Sequence, residues 1–220
     1  MREFARIDDV STQRLFVPIS LGNHYYSGVR LRRLLHELLA PSAASVVFLC
    51  DQLRYLSYQI QGEFREEFLR KRVSLQLYQQ RQALKNLGFG THSNVSILSW
   101  ADIETDEAYL KVLAKTKELA AADRTVSGEV QRLSGSLISK FGSLDEHSER
   151  TRALQAEYLI VETALSLYMN ELQGFDYEVY RRGLGLIDFM YDVCPEKVRG
   201  ITGSSNRKLL ALELYWGERT

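Results

Sequence analysis

The sequence predicts an α/β fold, one mainly parallel sheet of about five strands flanked by helices. Three observations carry this. Short apolar runs, Leu15–Ile19 and Ser45–Cys50 above all, have the length of buried strands. Strand-like runs alternate with helical stretches long enough to cross a sheet, as parallel neighbours require. Helical pattern outweighs strand pattern along the chain.

Taken in order, a strand at about 14–19 comes first. Pro18 is awkward inside it, because proline has no N–H for the ladder. Ser20 stands where that strand ends, and Gly22 and Asn23 suit a tight turn. A helix over 26–39 follows, with Leu31, Leu34, Leu35 and Leu38 as its apolar stripe and Pro41 beyond its end. The strand Ser45–Cys50 leads into Asp51 and a short helix, Gln52–Tyr58. Gly62–Leu87 reads as a long amphipathic helix stopped by Gly88 and Gly90. Val95–Leu98 is a short strand. Asp102 suits the cap of a helix reaching about Ala122, and another helix covers 124–141. Gly142–Ser143 breaks the pattern before a helix over 146–172. Tyr177–Tyr180 is a strand, 184–191 a helix, Gly200–Asn206 a polar loop and Leu209–Trp216 a last strand. Residues 1–220 contain no linker, repeat or low-complexity tract. They read as one three-layer domain with a helical elaboration between about 102 and 145.

Composition narrows the function classes. The chain has 220 residues, 45% apolar and 25% charged, an ordinary balance for a globular protein with a sizeable core. The N-terminal dozen residues lack the apolar segment of a signal peptide, and no run is long enough to span a bilayer. Cys50 and Cys194 offer neither a disulfide framework nor a metal cluster, and His24, His36, His92 and His147 show no metal spacing. A cytoplasmic protein without a metal is expected. The 28 basic and 28 acidic residues cancel, which argues against indiscriminate nucleic-acid binding. No phosphate-binding glycine loop, dinucleotide fingerprint or G-x-S-x-G elbow is present.

Three local features suggest chemistry. Ser20 is a hydroxyl at the carboxyl end of a strand, facing a turn and a helix. On those residues alone a plain connector with an incidental serine is the simpler reading. Along the long helix Leu69, Val73, Leu77, Leu84 and Leu87 share an arc. Arg70, Arg81 and Lys85 share the neighbouring one, with Lys71 at its edge. No acid lies between Arg70 and Lys85, so a solvated face and a phosphate track stand near parity. Glu162 lies amid an apolar stripe of Leu154, Tyr158, Leu165, Met169 and Leu172, one turn after Tyr158. A carboxylate so placed either pairs with a cation, such as a ligand ammonium, or reaches water at the rim. Periodicity alone leans to the rim.

In order and spacing these features resemble the cyclodipeptide synthases, from about Leu15 to Trp216. The matching points begin with I-S-x-G-N, here Ile19, Ser20, Leu21, Gly22 and Asn23. The apolar strand Val46–Leu49 with an acid beyond it and the long basic helix come next. The pair Y-x-x-x-E, here Tyr158 and Glu162, and then Tyr180 complete them. The resemblance implies a Rossmann-like domain similar to the catalytic domain of class I tyrosyl- and tryptophanyl-tRNA synthetases. It implies a monomer that uses two aminoacyl-tRNAs to form a cyclic dipeptide, with no cofactor. Ser20 would be the nucleophile, Tyr158 and Glu162 would hold the amine, and Asn23 and Tyr180 would accompany them. Asn23 resembles the Asn/Tyr branch. The first side chain would lie among Phe16, Pro18, Val47, Leu49, Leu98 and Leu165, favouring an apolar or aromatic amino acid. Arg70, Lys71, Arg72, Arg81 and Lys85 would meet tRNA.

The chain departs from the family pattern at Pro18, where glycine is frequent, and at Arg181. Its basic cluster is also shifted toward Arg70–Arg72, leaving Tyr78 and Gln79 further along. The expected reaction is a ping-pong transfer through an aminoacyl-serine and a dipeptidyl-serine. The competing classes are a serine acyltransferase or esterase acting on a small acyl donor, and a tRNA-binding module without catalysis.

Overall fold

The computed structural model describes residues 9–23, 25–26, 28–141, 149–180, 185–206 and 208–211. Five strands, β1 (Arg14–Ile19), β2 (Ala44–Leu49), β3 (Val95–Ser99), β4 (Tyr177–Tyr180) and β5 (Lys208–Ala211), form one sheet. Its order is β3-β2-β1-β4-β5 and every described pairing is parallel. The chain winds outward from β1 to β3, then returns to the other side of β1. The gap between β1 and β4 is therefore the topological switch point, where open α/β sheets place their ligands.

Strict alternation along the buried strands builds two cores. Leu15, Val17 and Ile19 of β1 and Val47 and Leu49 of β2 face one layer. That layer is formed by α1 (Gly28–Arg33), its π-helical continuation Leu34–Leu39, and α3 (Glu66–Asn86). Leu69, Val73 and Leu84 are the buried arc of α3. Phe16 and Phe48 face the opposite layer, built from α2 (Asp51–Ile60), α4 (Glu107–Ala122), α5 (Arg124–Phe141), α6 (Glu149–Leu167), α7 (Gly185–Val193) and α8 (Pro195–Thr202). Among the described residues no helix is long and apolar enough to cross a membrane.

The backbone explains the proline inside a central strand. The Cys50 N–H donates to the Ile19 carbonyl at 2.9 Å, on the β2 side, and the Asp176 N–H donates to the Arg14 carbonyl at 2.9 Å, on the β4 side. Backbone groups of Phe16 and Pro18 thus share the β4 side with Arg14. Pairing with β2 continues to Ile19 opposite Leu49, whereas pairing with β4 stops at Phe16 opposite Glu178. The missing N–H of Pro18 falls where the ladder has already ended. A residue with an N–H there would leave a buried donor to satisfy.

The element boundaries shift in ways the side chains explain. Asp106, not Asp102, caps α4, accepting the N–H groups of Ala108 and Tyr109 at 2.8 and 3.0 Å. Asp102 instead accepts from the Ser99 N–H and hydroxyl at 2.7 and 3.0 Å, closing a 3-10 turn over Trp100–Asp102. The helix expected from Gly62 begins at Glu66, since Gly62 adopts φ +92 in the turn before it. The helix α8 has no counterpart among the expected elements. It is short, and its one start signal is Pro195 in its first turn. The turn at Gly142–Ser143, residues 146–148, His24, Arg181 and the part of the last strand beyond Ala211 lie outside the described residues.

Candidate functional site

Ser20 is the first residue after β1 and begins a tight turn. The Asn23 N–H donates to the Ser20 carbonyl at 3.1 Å, and the Tyr26 N–H to the Asn23 carbonyl at 3.2 Å. The Asn23 side chain accepts from the Tyr25 N–H at 3.0 Å, so this residue organises the turn that carries the serine. Gly22 has φ +75, and a Cβ there would stand 3.2 Å from the Arg54 guanidinium. The left-handed backbone conformation is what favours glycine at this position, since the arginine end could shift slightly.

Across the switch point, Tyr180 ends β4. Its hydroxyl lies 3.3 Å from the Ser20 Oγ. The Tyr26 ring supports the Tyr180 ring at 6.3 Å, and Tyr25 meets Tyr26 edge to face at 5.3 Å. A cavity opens beside the two hydroxyls. Pro18 lines it from β1 and Ser20 from the turn after it, Glu178 and Tyr180 from β4, and Glu162, Leu165 and Ser166 from α6. Cys50 and Leu53 complete it beyond β2. Its volume of about 10 Å³ is the room of one water molecule, so any larger ligand requires the lining side chains to part.

Charge organises this space. Burial, and next the Glu162 carboxylate, push the Tyr158 and Tyr180 hydroxyls well above the ordinary tyrosine value. Both therefore remain protonated donors near neutral pH. Burial first, then Glu162, also push the Cys50 thiol well up, which removes it as a thiolate nucleophile. Tyr158 is half-buried on α6, one turn before Glu162. Asp51 stays outside the cavity lining. It accepts the Trp100 N–H at 3.0 Å, tying the end of β2 to that of β3. Among the described residues no three of His, Cys, Asp and Glu gather to hold a metal.

Of the expected residues, the structure thus brings Ser20, Glu162, Tyr180, Pro18 and Leu165 to one cavity, with Tyr158 beside it. Phe16 faces the same layer one pleat deeper, and Leu98 lies on that face, opposite Phe48 in register. Val47 and Leu49 do not belong to the cavity. They point through the sheet into the opposite core, because strand neighbours alternate faces and the cavity takes the parity of Phe48 and Cys50.

The long helix also differs in detail. Arg70 pairs with Glu66 at 2.7 Å and Lys71 with Glu67 at 2.8 Å, acids one turn earlier on the same face. Arg72 stacks over the Tyr58 ring at 4.1 Å. Arg81 leaves the exposed stripe, donating to the Ser99 hydroxyl at 2.8 Å and to Asp102 at 3.3 Å. Lys85 is exposed.

Sequence reasoning passed over Glu178 and Ser166, both in the cavity lining. A signal for Glu178 was present. It stands two residues before Tyr180 in a strand, so it must share the face of Tyr180.

A family profile described as cyclodipeptide synthase matches residues 9–194. No curated protein sequence matches the chain. Among solved structures, the Mycobacterium tuberculosis protein Rv2275 is described as demonstrating that cyclodipeptide synthetases are related to type I tRNA synthetases. It superposes with a TM-score of 0.73 at 19% identity, over 91% of this chain and 86% of that one. A cyclodipeptide synthase from Candidatus Glomeribacter gigasporarum, bound to Phe-tRNAPhe, gives 0.62 at 13% identity, over 91% and 88%. Tyrosyl-tRNA synthetase from Archaeoglobus fulgidus, with L-tyrosine, gives 0.59 at 15% identity, over 90% of this chain and 54% of that one. At these identities the likeness is one of fold.

Proposed function

Since the chain belongs to the cyclodipeptide synthase family, we propose that it joins two aminoacyl groups delivered by tRNA into a cyclic dipeptide, with Ser20 as the covalent carrier. The observation that supports this reading best is the convergence of Ser20, Tyr180 and Glu162 on one cavity at the switch point. The neighbour bound to Phe-tRNAPhe supports the nature of the donor.

In the first step the Ser20 Oγ attacks the aminoacyl ester carbonyl. The serine proton passes to the departing ribose hydroxyl, and an aminoacyl-serine ester replaces the aminoacyl-tRNA ester. One ester is exchanged for another, so no separate activation is needed. Tyr180, kept protonated, donates toward the oxygen that gains charge. Glu162 and Tyr158 hold the α-ammonium and fix its direction. Loss of a proton to Glu162 frees the amine to attack the second aminoacyl-tRNA, whose ester bond breaks; the second tRNA leaves as its ribose hydroxyl, and an amide remains in a dipeptidyl-serine. The new terminal amine then attacks the serine ester, closes the six-membered ring and restores the Ser20 hydroxyl.

Expression in a bacterium followed by mass spectrometry of the medium tests the reading. A diketopiperazine is expected, and purified protein should make it from charged tRNA but not after ribonuclease treatment. Product formation from small acyl esters without tRNA would reject the proposal.

The cations of α3 are proposed to meet the tRNA backbone. The pairs of Arg70 and Lys71 with acids are exposed, hold little energy and exchange readily for phosphate. Replacing Arg70, Lys71 and Lys85 together by glutamine is expected to weaken tRNA binding. The log–log salt slope should become shallower by about 2 to 3 units, as three phosphate contacts require. An unchanged slope in filter binding would return α3 to an ordinary solvated face. Arg81 is left intact in this test, because it holds the Ser99–Asp102 turn.

A further inference from the structure

The cavity beside Ser20 contains a second carboxylate that the proposed reaction does not use. Glu178 is 0% exposed and lines the same space as Ser20 and Glu162. It lies two residues before Tyr180 on β4, hence about 6–7 Å deeper along the strand. Phe16 stands beside it in register on β1. The Ser166 hydroxyl donates to one of its oxygens at 2.8 Å, and the Asn170 amide donates to the other at 3.1 Å. The Ser166 carbonyl in turn holds the Asn170 amide at 2.8 Å, and the π-helical turn Tyr168–Leu172 carries that residue. Glu178 is thus oriented by two donors from α6 and its π-helical extension, one pleat deeper in the cavity than Tyr180.

We infer that Glu178 selects the first amino acid, and that the group loaded on Ser20 has a cationic side chain, a guanidinium or an ammonium. This rests on the proposed acylation of Ser20. A carboxylate has about four acceptor positions, and a cationic N–H donor entering the cavity meets it with a charge-assisted hydrogen bond. An apolar side chain would instead press methyl groups against a buried carboxyl group and offer it no donor. The two carboxylates divide the work along one substrate. Glu162 sits on α6, one turn after Tyr158, for the α-ammonium, and Glu178 sits deeper for the far end of the side chain. Burial first, then Glu162, Asp51 and Glu178, raise the Cys50 thiol that lies in the same lining. A basic amino acid brings a cation to each carboxylate. The apolar or aromatic preference expected from the family resemblance included Val47 and Leu49, which face the other core, and omitted Glu178.

The test is acyl transfer to the full-length protein from tRNA charged separately with labelled arginine, lysine, leucine or phenylalanine. Label retained after denaturation, and absent from Ser20→Ala, is the readout. Arginine or lysine is expected to label the wild type at least about tenfold more than leucine or phenylalanine. Glu178→Gln, close to isosteric, should cut the cationic label by about tenfold or more. Glu178→Leu should abolish it and admit leucine, a reversal of about a hundredfold or more. Should Glu178→Leu fail to fold, the wild-type preference and Glu178→Gln decide. Labelling by leucine or phenylalanine alone, unchanged in Glu178→Gln, overturns this assignment while leaving Ser20 as carrier. Absence of label from all four, with wild-type product also absent, overturns the proposed function itself.

Discussion

Ser20→Ala is expected to eliminate both the covalent aminoacyl adduct and the cyclic product, by at least about a thousandfold. The substitution removes one oxygen and leaves the surrounding frame intact. The turn is held by the Ser20 carbonyl and by Asn23, through main-chain contacts that alanine keeps. The hydroxyl's own contact is a 3.3 Å bond to Tyr180, whose loss costs about 1 kcal/mol or less. Melting temperature and circular dichroism should therefore match the wild type closely while activity vanishes. Intact-protein mass spectrometry after incubation with charged tRNA gives the direct reading. Wild-type protein should gain the mass of one aminoacyl residue, and the variant none. An adduct of the same mass on Ser20→Ala, located elsewhere by peptide mapping, would falsify the assignment of the carrier.

The centre of the sheet was legible in the sequence because β1 and β2 are largely buried on both faces, and such strands read as continuous apolar runs. The same property hid the site. Leu15–Ile19 and Val46–Leu49 are apolar at every position, so nothing in them marks which parity borders the cavity. Val47 and Leu49 were placed in it by analogy, whereas the structure turns them into the other core. Ser20 and Tyr180 are 160 residues apart, and only the strand order, with β4 beside β1, makes them neighbours. Pro18 looked like an obstacle to a central strand. It fits because one ladder stops before it, a fact of register rather than of composition. On α3 the apolar arc was readable from periodicity, and the cationic arc too. Its pairing was not, since Glu66 and Glu67 lie just upstream of the stretch that contains no acid. Asp102 suited a cap on paper, but Ser99 claims it for the turn after β3, and Asp106 caps α4 instead.

Glu162→Gln separates charge from shape at the other side of the cavity. Glutamine keeps the volume and a hydrogen-bonding oxygen, but it neither attracts an ammonium nor accepts its proton. Cyclic product is expected to fall by about 10² to 10⁴, the range of a lost general base, while tRNA affinity stays within about twofold. A second signature does not depend on turnover. The Glu162 charge helps to hold the hydroxyls of Tyr158 and Tyr180 and the thiol of Cys50 in their protonated forms. Removing that charge must move all three toward their ordinary values, although burial keeps them high. Ultraviolet titration of the variant should show part of its tyrosinate absorbance appearing at lower pH than in the wild type. A residue that merely packed against α6 would alter neither the titration nor the split between binding and turnover. Full product yield from Glu162→Gln, with an unmoved tyrosine titration, would take the carboxylate out of the mechanism and leave the orientation of the amine to Tyr158 alone.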